Sequence, residues 1–354
     1  MNISLGTLQK IKILMYSILG WMLAVFIGLW VIADTPMDLD HFVESIVGGI
    51  LGGICSHYLS LNLRKLTRKL CAWRLVLFRT FSYVLMITLI TLLVAILRSF
   101  FVDDKLGFAI LYSNEFHEFI LGWKFTSLML ILILSSFLIN FIVQVHRMFG
   151  PGIFAKLFLG TYYNPIKEKR IFMFIDIDDS TAIAEKLGPE HFAAFKNDFF
   201  YDLAEPVLMT RGEIFQYIGD EAVITWNYSK GVQKANWIRC FFLLEKEIKK
   251  NKNRYLNRYG IVPGFKAGCH GGRVISTEVG DIKRDIVYSG DAVNTAARIA
   301  GKCKTLGKNF LVSESLLSQT KSTKKFEKTN MGYFELRGKT ESLQLFALAK
   351  NGSV

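Results

Sequence analysis

Four long stretches of nearly uninterrupted apolar residues open this chain, and a second half of short alternating and periodic segments follows. Residues 11–33 (IKILMYSILGWMLAVFIGLWVIA) carry Lys12 as their single charge. At ~1.5 Å per residue such a run is long enough to cross a ~30 Å hydrocarbon layer. Runs at 42–62, 75–97 and 125–145 are comparable, the last free of charge throughout. The pattern predicts an α-helical domain over 1–145 with four transmembrane helices. The first run ends in Asp34-Thr35-Pro36, which offers no small-residue cleavage site, so a retained anchor is expected rather than a signal peptide.

The pattern changes after the fourth run. Gly150-Pro151-Gly152 breaks the helix, and residues 146–169 read as a connector. Its run from Ile153 to Leu159 is amphipathic enough to lie on a membrane or pair with its own copy. From Arg170 the segments are short: the buried strand IFMFIDI, a helix over 180–187 and another over 190–204. GEIFQYIG and EAVITWN then read as a hairpin around Gly219-Asp220, followed by a basic helix near 231–256 and a strand over 265–272. IVYSG, a helix over 291–303, NFLVS, and strands around FELRG and LQLFALA close the order. Alternating helices and hairpins over 170–350 predict an α+β domain with helices against a mixed, mainly antiparallel sheet.

Charge adds an orientation. The chain has 43 Lys plus Arg against 30 Asp plus Glu, a net charge of +13, yet only 8 of the acids fall in the first 149 residues. The loop after the second run holds Arg64, Lys65, Arg68, Lys69 and Arg74 with no acid, whereas the loop after the first holds Asp34, Asp38 and Asp40 with no base. Cytoplasmic loops carry the basic excess, so both termini and the second domain are expected in the cytoplasm of a multi-pass cell-membrane protein. Part of the positive charge is thereby a topology signal, and no nucleic-acid recognition motif accompanies it. The five cysteines contain no CxxC pair and give neither a disulfide framework nor a zinc spacing. In the second run Gly48, Gly52 and Ser56 share a face beside Ser45, Gly49 and Gly53, which allows close helix contact either within one subunit or between two.

Two carboxylates stand where chemistry could use them. Asp176 ends an apolar strand just before a helix start, and Asp220 occupies a hairpin tip 44 residues later. If those strands are neighbours the carboxylates meet, and paired carboxylates with substrate phosphates suit hard divalent cations. Ser180 and Thr181 begin the following helix, whose unpaired N–H groups suit phosphate. Asn294 and Arg298, four apart, project from one helix face, where an amide and a guanidinium could orient a ribose and stabilise charge on phosphorus. Arg273 and Lys339 are further candidate phosphate partners. Taken singly, each of these residues reads equally as a cap, a turn residue or a solvated charge.

Together FIDIDDST (174–181), YIGDEAV (217–223), GGRV (271–274), YSGDAVNTAARI (288–299) and RGK (337–339) resemble the class III nucleotide cyclases, the adenylate and guanylate cyclase superfamily. The resemblance implies a ferredoxin-like βαββαβ core and a head-to-tail homodimer with active sites at the subunit interface. It makes Asp176, Asp220 and the backbone carbonyl of Ile177 ligands of two Mg²⁺ or Mn²⁺ ions. It assigns Asn294 to the ribose, Arg298 to the transition state from the partner subunit, and Arg273 and Lys339 to phosphates. The implied reaction is attack of the ribose 3′ oxygen on the α-phosphorus with loss of pyrophosphate.

The base-specifying positions depart from the family pattern. Adenylate cyclases of this kind usually carry Lys where Gln216 stands and Asp or Thr where Val287 stands; guanylate cyclases commonly carry Glu and Cys. Gln can donate and accept, and Val287 offers no hydrogen bond. Asp285, two residues earlier, is expected to substitute only through a slip of strand register. ATP is the expected substrate, giving cyclic AMP, with GTP or another nucleoside triphosphate as the alternative and a non-catalytic nucleotide-binding membrane sensor as a further one. A P-loop is excluded because Tyr333 stands five residues before Gly338, and a diguanylate cyclase lacks its GG[DE]EF hairpin here.

Overall fold

The computed structural model describes residues 5–32, 39–62, 72–101, 118, 121–149, 156–157, 159–335 and 342–351. The chain divides into two compact units, one holding Thr7–Phe149 and the other Met1–Gly6 with Gly150–Val354.

The first unit contains α1 (Leu5–Ile32), α2 (Leu39–Asn62), α3 (Ala72–Phe101) and α4 (Trp123–Phe149). Its outer surface is apolar, and polar side chains are buried beside an apolar cluster of Trp21, Ala24, Tyr83 and Leu132. Leu23, Leu51, Leu89, Leu130 and Leu134 point outward, whereas Ser45, Ser56, Arg79, Thr80, Ser136 and Asn140 are buried. Gly49 and Gly53 resolve the small-residue face: a Cβ at either would collide with backbone atoms of Met22 or Ile18, and Gly52 lies against Trp21. These glycines pack α2 on α1 of the same chain, not on a second subunit. Among the described residues one helix stretch, Phe125–Ile142, is long and apolar enough to cross a membrane; Leu14–Gly28 is a shorter apolar stretch. The four-span expectation therefore goes beyond what length and composition of the described helices show.

The second unit is built on one sheet of order β2-β3-β1-β4-β6-β8-β7, with β5 paired to β4. The strands are β1 (Ile166–Ile177), β2 (Glu213–Ile218), β3 (Glu221–Asn227), β4 (Phe265–Val279), β5 (Asp285–Ser289), β6 (Phe310–Ser313), β7 (Phe326–Phe334) and β8 (Leu343–Lys350). Between them lie α5 (Ser180–Met209), α6 (Tyr228–Val232), α7 (Asn236–Lys250), α8 (Lys252–Tyr259), α9 (Asp291–Leu306) and α10 (Glu314–Leu317). The run β4-β1-β3-β2 is antiparallel throughout, which is the strand order of the expected βαββαβ core.

Alternation along β1 sorts the two faces. Ile171, Met173, Ile175 and Ile177 join Phe199, Trp226, Phe241 and Phe265 in a core under α5, α7 and α8. Phe172 and Phe174 join Val223, Val274, Tyr288 and Ala296 in a second core under α9 and β5. Asp176 therefore faces the α9 side of the sheet.

Several boundaries differ from the sequence pattern. β1 begins at Ile166 rather than 170, and the stretch before it is tied to the sheet. Lys156 pairs with Glu213 at 3.4 Å, Tyr162 donates to Glu168 at 3.3 Å, and the Glu278 N–H donates to the Tyr162 carbonyl at 2.8 Å. The amphipathic run from Ile153 falls mostly outside the described residues. The two helices expected over 180–204 form one kinked element, α5, bent at Gly188 (φ 73°) ahead of Pro189. The basic helix is divided at Asn251 into α7 and α8.

Candidate active site

The β2–β3 hairpin and the end of β1 bring the two carboxylates together. Asp176 is opposite Glu221 on β3 and opposite Lys266 on β4. Gly219, with φ 63°, makes the tight turn that sets Asp220 beside the β1 end. The Asp176 and Asp220 carboxyls lie within hydrogen-bonding reach of each other, and Lys266 Nζ stands 3.0 Å from Asp176 Oδ2 and 3.8 Å from Asp178 Oδ1.

Burial holds the Asp176 carboxyl above its ordinary range; the Lys266 ion pair opposes that and the Asp220 charge adds to it. Glu221 is pushed up to about 7, first by burial and then by Asp176 and Asp220. Three acids crowd one end of the central strands, with Lys266 among them. Two carboxylates and the Ile177 carbonyl are hard oxygen donors, which fits Mg²⁺ or Mn²⁺. No group of three or more His, Cys, Asp or Glu able to cage a metal occurs among the described residues, so such ions would complete their shells with water and substrate phosphate.

Beside this edge Asp179 adopts a left-handed conformation (φ 49°) and starts α5, whose first residues are Ser180 and Thr181. Its side chain makes no capping hydrogen bond, leaving the first N–H groups of the helix available to an anion. Lys304 Nζ, near the end of α9, lies 3.6 Å from Asp179 Oδ1.

On α9 the buried face is Ala292, Thr295, Ala296, Ile299, Ala300 and Cys303. Gly268 and Gly272 of β4 let this helix close onto the strand: a Cβ at Gly268 would lie 2.0 Å from the Ala300 nitrogen, and one at Gly272 would lie 2.9 Å from the Ala292 Cβ. Asn294 is exposed and Arg298 half-buried. Asn294 is ten residues upstream of Lys304, ~15 Å along the helix axis. The structure thus gathers the acidic pair and the phosphate turn in one place, with Asn294 toward the far end of α9 from Lys304.

Arg273 is not brought to the carboxylates within one chain. It pairs with Lys169, seven residues along β4 from Lys266, ~23 Å at strand rise, and shares the sheet face of Ala267 and Cys269 rather than that of Asp176. Lys339 lies outside the described residues.

The base-specifying candidates sit on β2 and β5. A bulge between Ile214 and Gln216 throws out Phe215, whose ring packs edge-on against Tyr288 at 5.0 Å. Gln216 is exposed beside it. Val287 is opposite Thr277 and Asp285 opposite Val279, so the two share one face of β5 while Ile286 and Tyr288 are buried on the other. Asp285 points the same way as Val287 but one pleat repeat, ~7 Å, along the strand, so reaching the Val287 position still requires a two-residue shift. Asp285 also lines a small cleft with Glu213, Phe215 and Tyr288.

Three residues of this region escape pattern reading. Lys266 and Glu221 flank the carboxylates, and strand alternation applied to FKAGCHGG and EAVITWN would have put both on the Asp176 face. Arg170, 2% exposed, donates to Glu213 Oε2 at 2.6 Å and Thr225 Oγ1 at 3.0 Å, with its guanidinium 4.6 Å from the Tyr288 ring centre. It bolts β1 to the strands carrying Gln216 and Val287.

This α+β sheet, with paired acids at a hairpin tip and a phosphate-ready helix start beside them, has the architecture of a nucleotide-processing domain. Residues 163–349 match the family described as the adenylate and guanylate cyclase catalytic domain, and the chain belongs to that family. It is 37% identical over 210 residues to "Adenylate cyclase 2" of Rhizobium meliloti (strain 1021), covering 59% of this chain and 58% of that one. "Adenylate cyclase 1" of the same organism is 29% identical over 178 residues, covering 49% of this chain and 26% of that protein. The chain thus spans little more than half of the first relative and about a quarter of the second. A bacterial light-regulated adenylyl cyclase structure shares the fold, with a TM-score of 0.52 at 21% identity over 61% of this chain and 64% of that one.

Proposed function

We propose that this protein is a membrane-anchored adenylate cyclase converting ATP to 3′,5′-cyclic AMP and pyrophosphate at sites shared between two copies of the chain. The observation that carries the proposal is the side-by-side placement of Asp176 and Asp220 next to the uncapped start of α5, in a chain of the cyclase family. Asp176, Asp220 and the Ile177 carbonyl would hold two Mg²⁺ or Mn²⁺ ions, which supply charge neutralisation and lower the pKa of the attacking ribose hydroxyl. The α5 N–H groups with Ser180 and Thr181 bind phosphate oxygens. Asn294 orients the ribose, and Arg298 stabilises charge that develops on the α-phosphate. Lys339 is assigned to the phosphates by its RGK motif. Arg273 keeps a phosphate role only if a second copy presents it, because its own chain holds it on the other sheet face.

The distance of Asn294 along α9 from the Asp179 turn, and the family resemblance, support a homodimer in which each site draws on both copies, Asn294 and Arg298 coming from the partner. Gln216, Val287 and Asp285 would meet the base; ATP is the reading favoured by the named relatives. GTP remains the alternative because Gln216 donates and accepts equally well. The apolar outer surface of the first unit supports four spans in a lipid bilayer, and the basic loop after the second run supports cytoplasmic termini.

Mass spectrometry of products from the full chain, given ATP, GTP, CTP or UTP with Mg²⁺ or Mn²⁺, tests this reading beside Asp220→Asn. Cyclic AMP lost in the variant is the expected result. Absence of every cyclic nucleotide from a folded wild-type dimer would overturn it.

A further inference from the structure

The two strands that carry the base-specifying candidates are held in part by the segment that precedes β1. Among the described residues β2 pairs with β3 only, and its ladder is interrupted by the bulge between Ile214 and Gln216. A bulged edge strand has one row of backbone hydrogen bonds with a gap in it, so side chains decide much of its position. Gln216 is the first residue after that gap.

Glu213 is the tie on β2. It accepts from Arg170 Nη2 at 2.6 Å and from Lys156 Nζ at 3.4 Å. The Lys156 and Glu213 side chains are 28% and 27% exposed, so water screens their pairing only in part. Lys156 also stands 5.7 Å from the Tyr162 ring centre. Phe215, the bulged residue, packs into the apolar cluster of Tyr162 and Tyr288, and Leu157 packs into the same cluster.

The same segment reaches β5. Tyr288, the neighbour of Val287, is buried against Phe215, Phe172 and the Arg170 guanidinium. Alternation sends Val287 to the opposite face, so any shift of Tyr288 carries Val287 with it. The Tyr162 carbonyl accepts from the Glu278 N–H at 2.8 Å, and Glu278 is opposite Ile286 of β5. Within the segment the Thr161 N–H donates to the Lys156 carbonyl at 2.8 Å and the Gly160 N–H to the Leu157 carbonyl at 3.0 Å. Those bonds make 156–162 one closed turn that touches both strands.

We infer that Lys156, with Tyr162 beside it, is a positioning residue for nucleobase selection: through Glu213 it sets where β2 presents Gln216, and through the shared cluster where β5 presents Val287. The inference rests on the cyclase reading above. Lys156 acts without touching the nucleotide, because it holds the strand whose amide meets the base.

The test uses the full chain and measures kcat and KM for ATP and for GTP separately, with thermal unfolding alongside. Lys156→Met removes the cation and keeps the apolar stem. It should lower the kcat/KM ratio of the preferred over the other nucleotide by about five-fold, the size of one lost hydrogen bond to a charged group, with most of the change in KM. Lys156→Arg should keep the wild-type ratio. Arg258→Met breaks the 2.9 Å ion pair between α8 and Asp198 of α5, so it should cost stability and leave the ratio unchanged. A wild-type ratio in Lys156→Met overturns the inference, and so does an equal fall in Arg258→Met, which would make the effect one of stability alone. A wild type that turns over ATP and GTP equally well overturns it too, since no base selection is left to position. A folded wild type that forms no cyclic nucleotide overturns the cyclase reading itself, so the two failures are told apart.

Discussion

Lys266 Nζ lies 3.0 Å from Asp176 Oδ2 across the β4–β1 pairing, so a lysine neutralises a carboxylate proposed to bind divalent metal. Both side chains are partly buried, and the same lysine reaches toward Asp178. It offsets part of the repulsion among Asp176, Asp220 and Glu221. Replacing Lys266 with Met removes the cation and leaves the acids crowded. In chelator the variant should lose roughly 1–3 kcal/mol of stability, the range for a charged hydrogen bond broken without replacement. Saturating Mn²⁺ should narrow that gap. Denaturant titration with and without the metal reads both values, and an equal deficit in the two conditions would show that Lys266 acts by packing alone.

Arg170 gives a second expectation. Its guanidinium is buried against Tyr288 and paired with Glu213, so Arg170→Met leaves Glu168 without its cation and Glu213 with Lys156 alone. Breaking a buried pair from one side costs about 3–5 kcal/mol; with Glu213 partly exposed the lower end applies. Chemical denaturation should show this loss, and Arg170→Lys, which keeps charge but not the forked geometry, should recover only a fraction.

Base choice is open to direct exchange. Gln216→Lys with Val287→Asp should raise the ratio of cyclic AMP to cyclic GMP formed from equimolar ATP and GTP. Gln216→Glu with Val287→Cys should lower it. A ratio unmoved by either pair would place base selection elsewhere, with Asp285 the nearest candidate on the same β5 face.

The cysteines of the catalytic unit should be inert in the native protein. Burial pushes the Cys240 and Cys303 thiols up to about 12 and raises Cys269 well above its usual range. Thiolate is the reactive form, so labelling at pH 8 should be slow at all three positions and rise only as pH approaches 12 or as the domain unfolds. Peptide mass spectrometry after timed alkylation would show this, and rapid native labelling of Cys269 would contradict the packing of β4.

The hairpin around Gly219-Asp220 and the exposed face of α9 were readable in the sequence because each depends on local spacing. Less local features were not. Gly271 and Gly272 look like the end of a strand, yet β4 continues to Val279; Gly272, like Gly268, instead admits the close approach of α9, a tertiary demand that no local pattern announces. Arg170 reads as a charge at a strand boundary, and only the sheet shows it buried between Glu213 and Tyr288. The displacement of Arg273 from the carboxylates follows from pairing register, which a motif comparison does not carry. In the first unit the glycine face of α2 was legible, but its partner, α1 of the same chain, was not.

Sites completed by a second copy are measured most directly by complementation. Asp220→Asn and Arg298→Ala each damage a different half of every site, so either variant alone should form almost no cyclic AMP. Co-expressed in equal amounts, half of the dimers would be mixed and carry one intact site, restoring about one quarter of wild-type activity. No recovery from folded, mixed dimers would contradict a site shared between two chains.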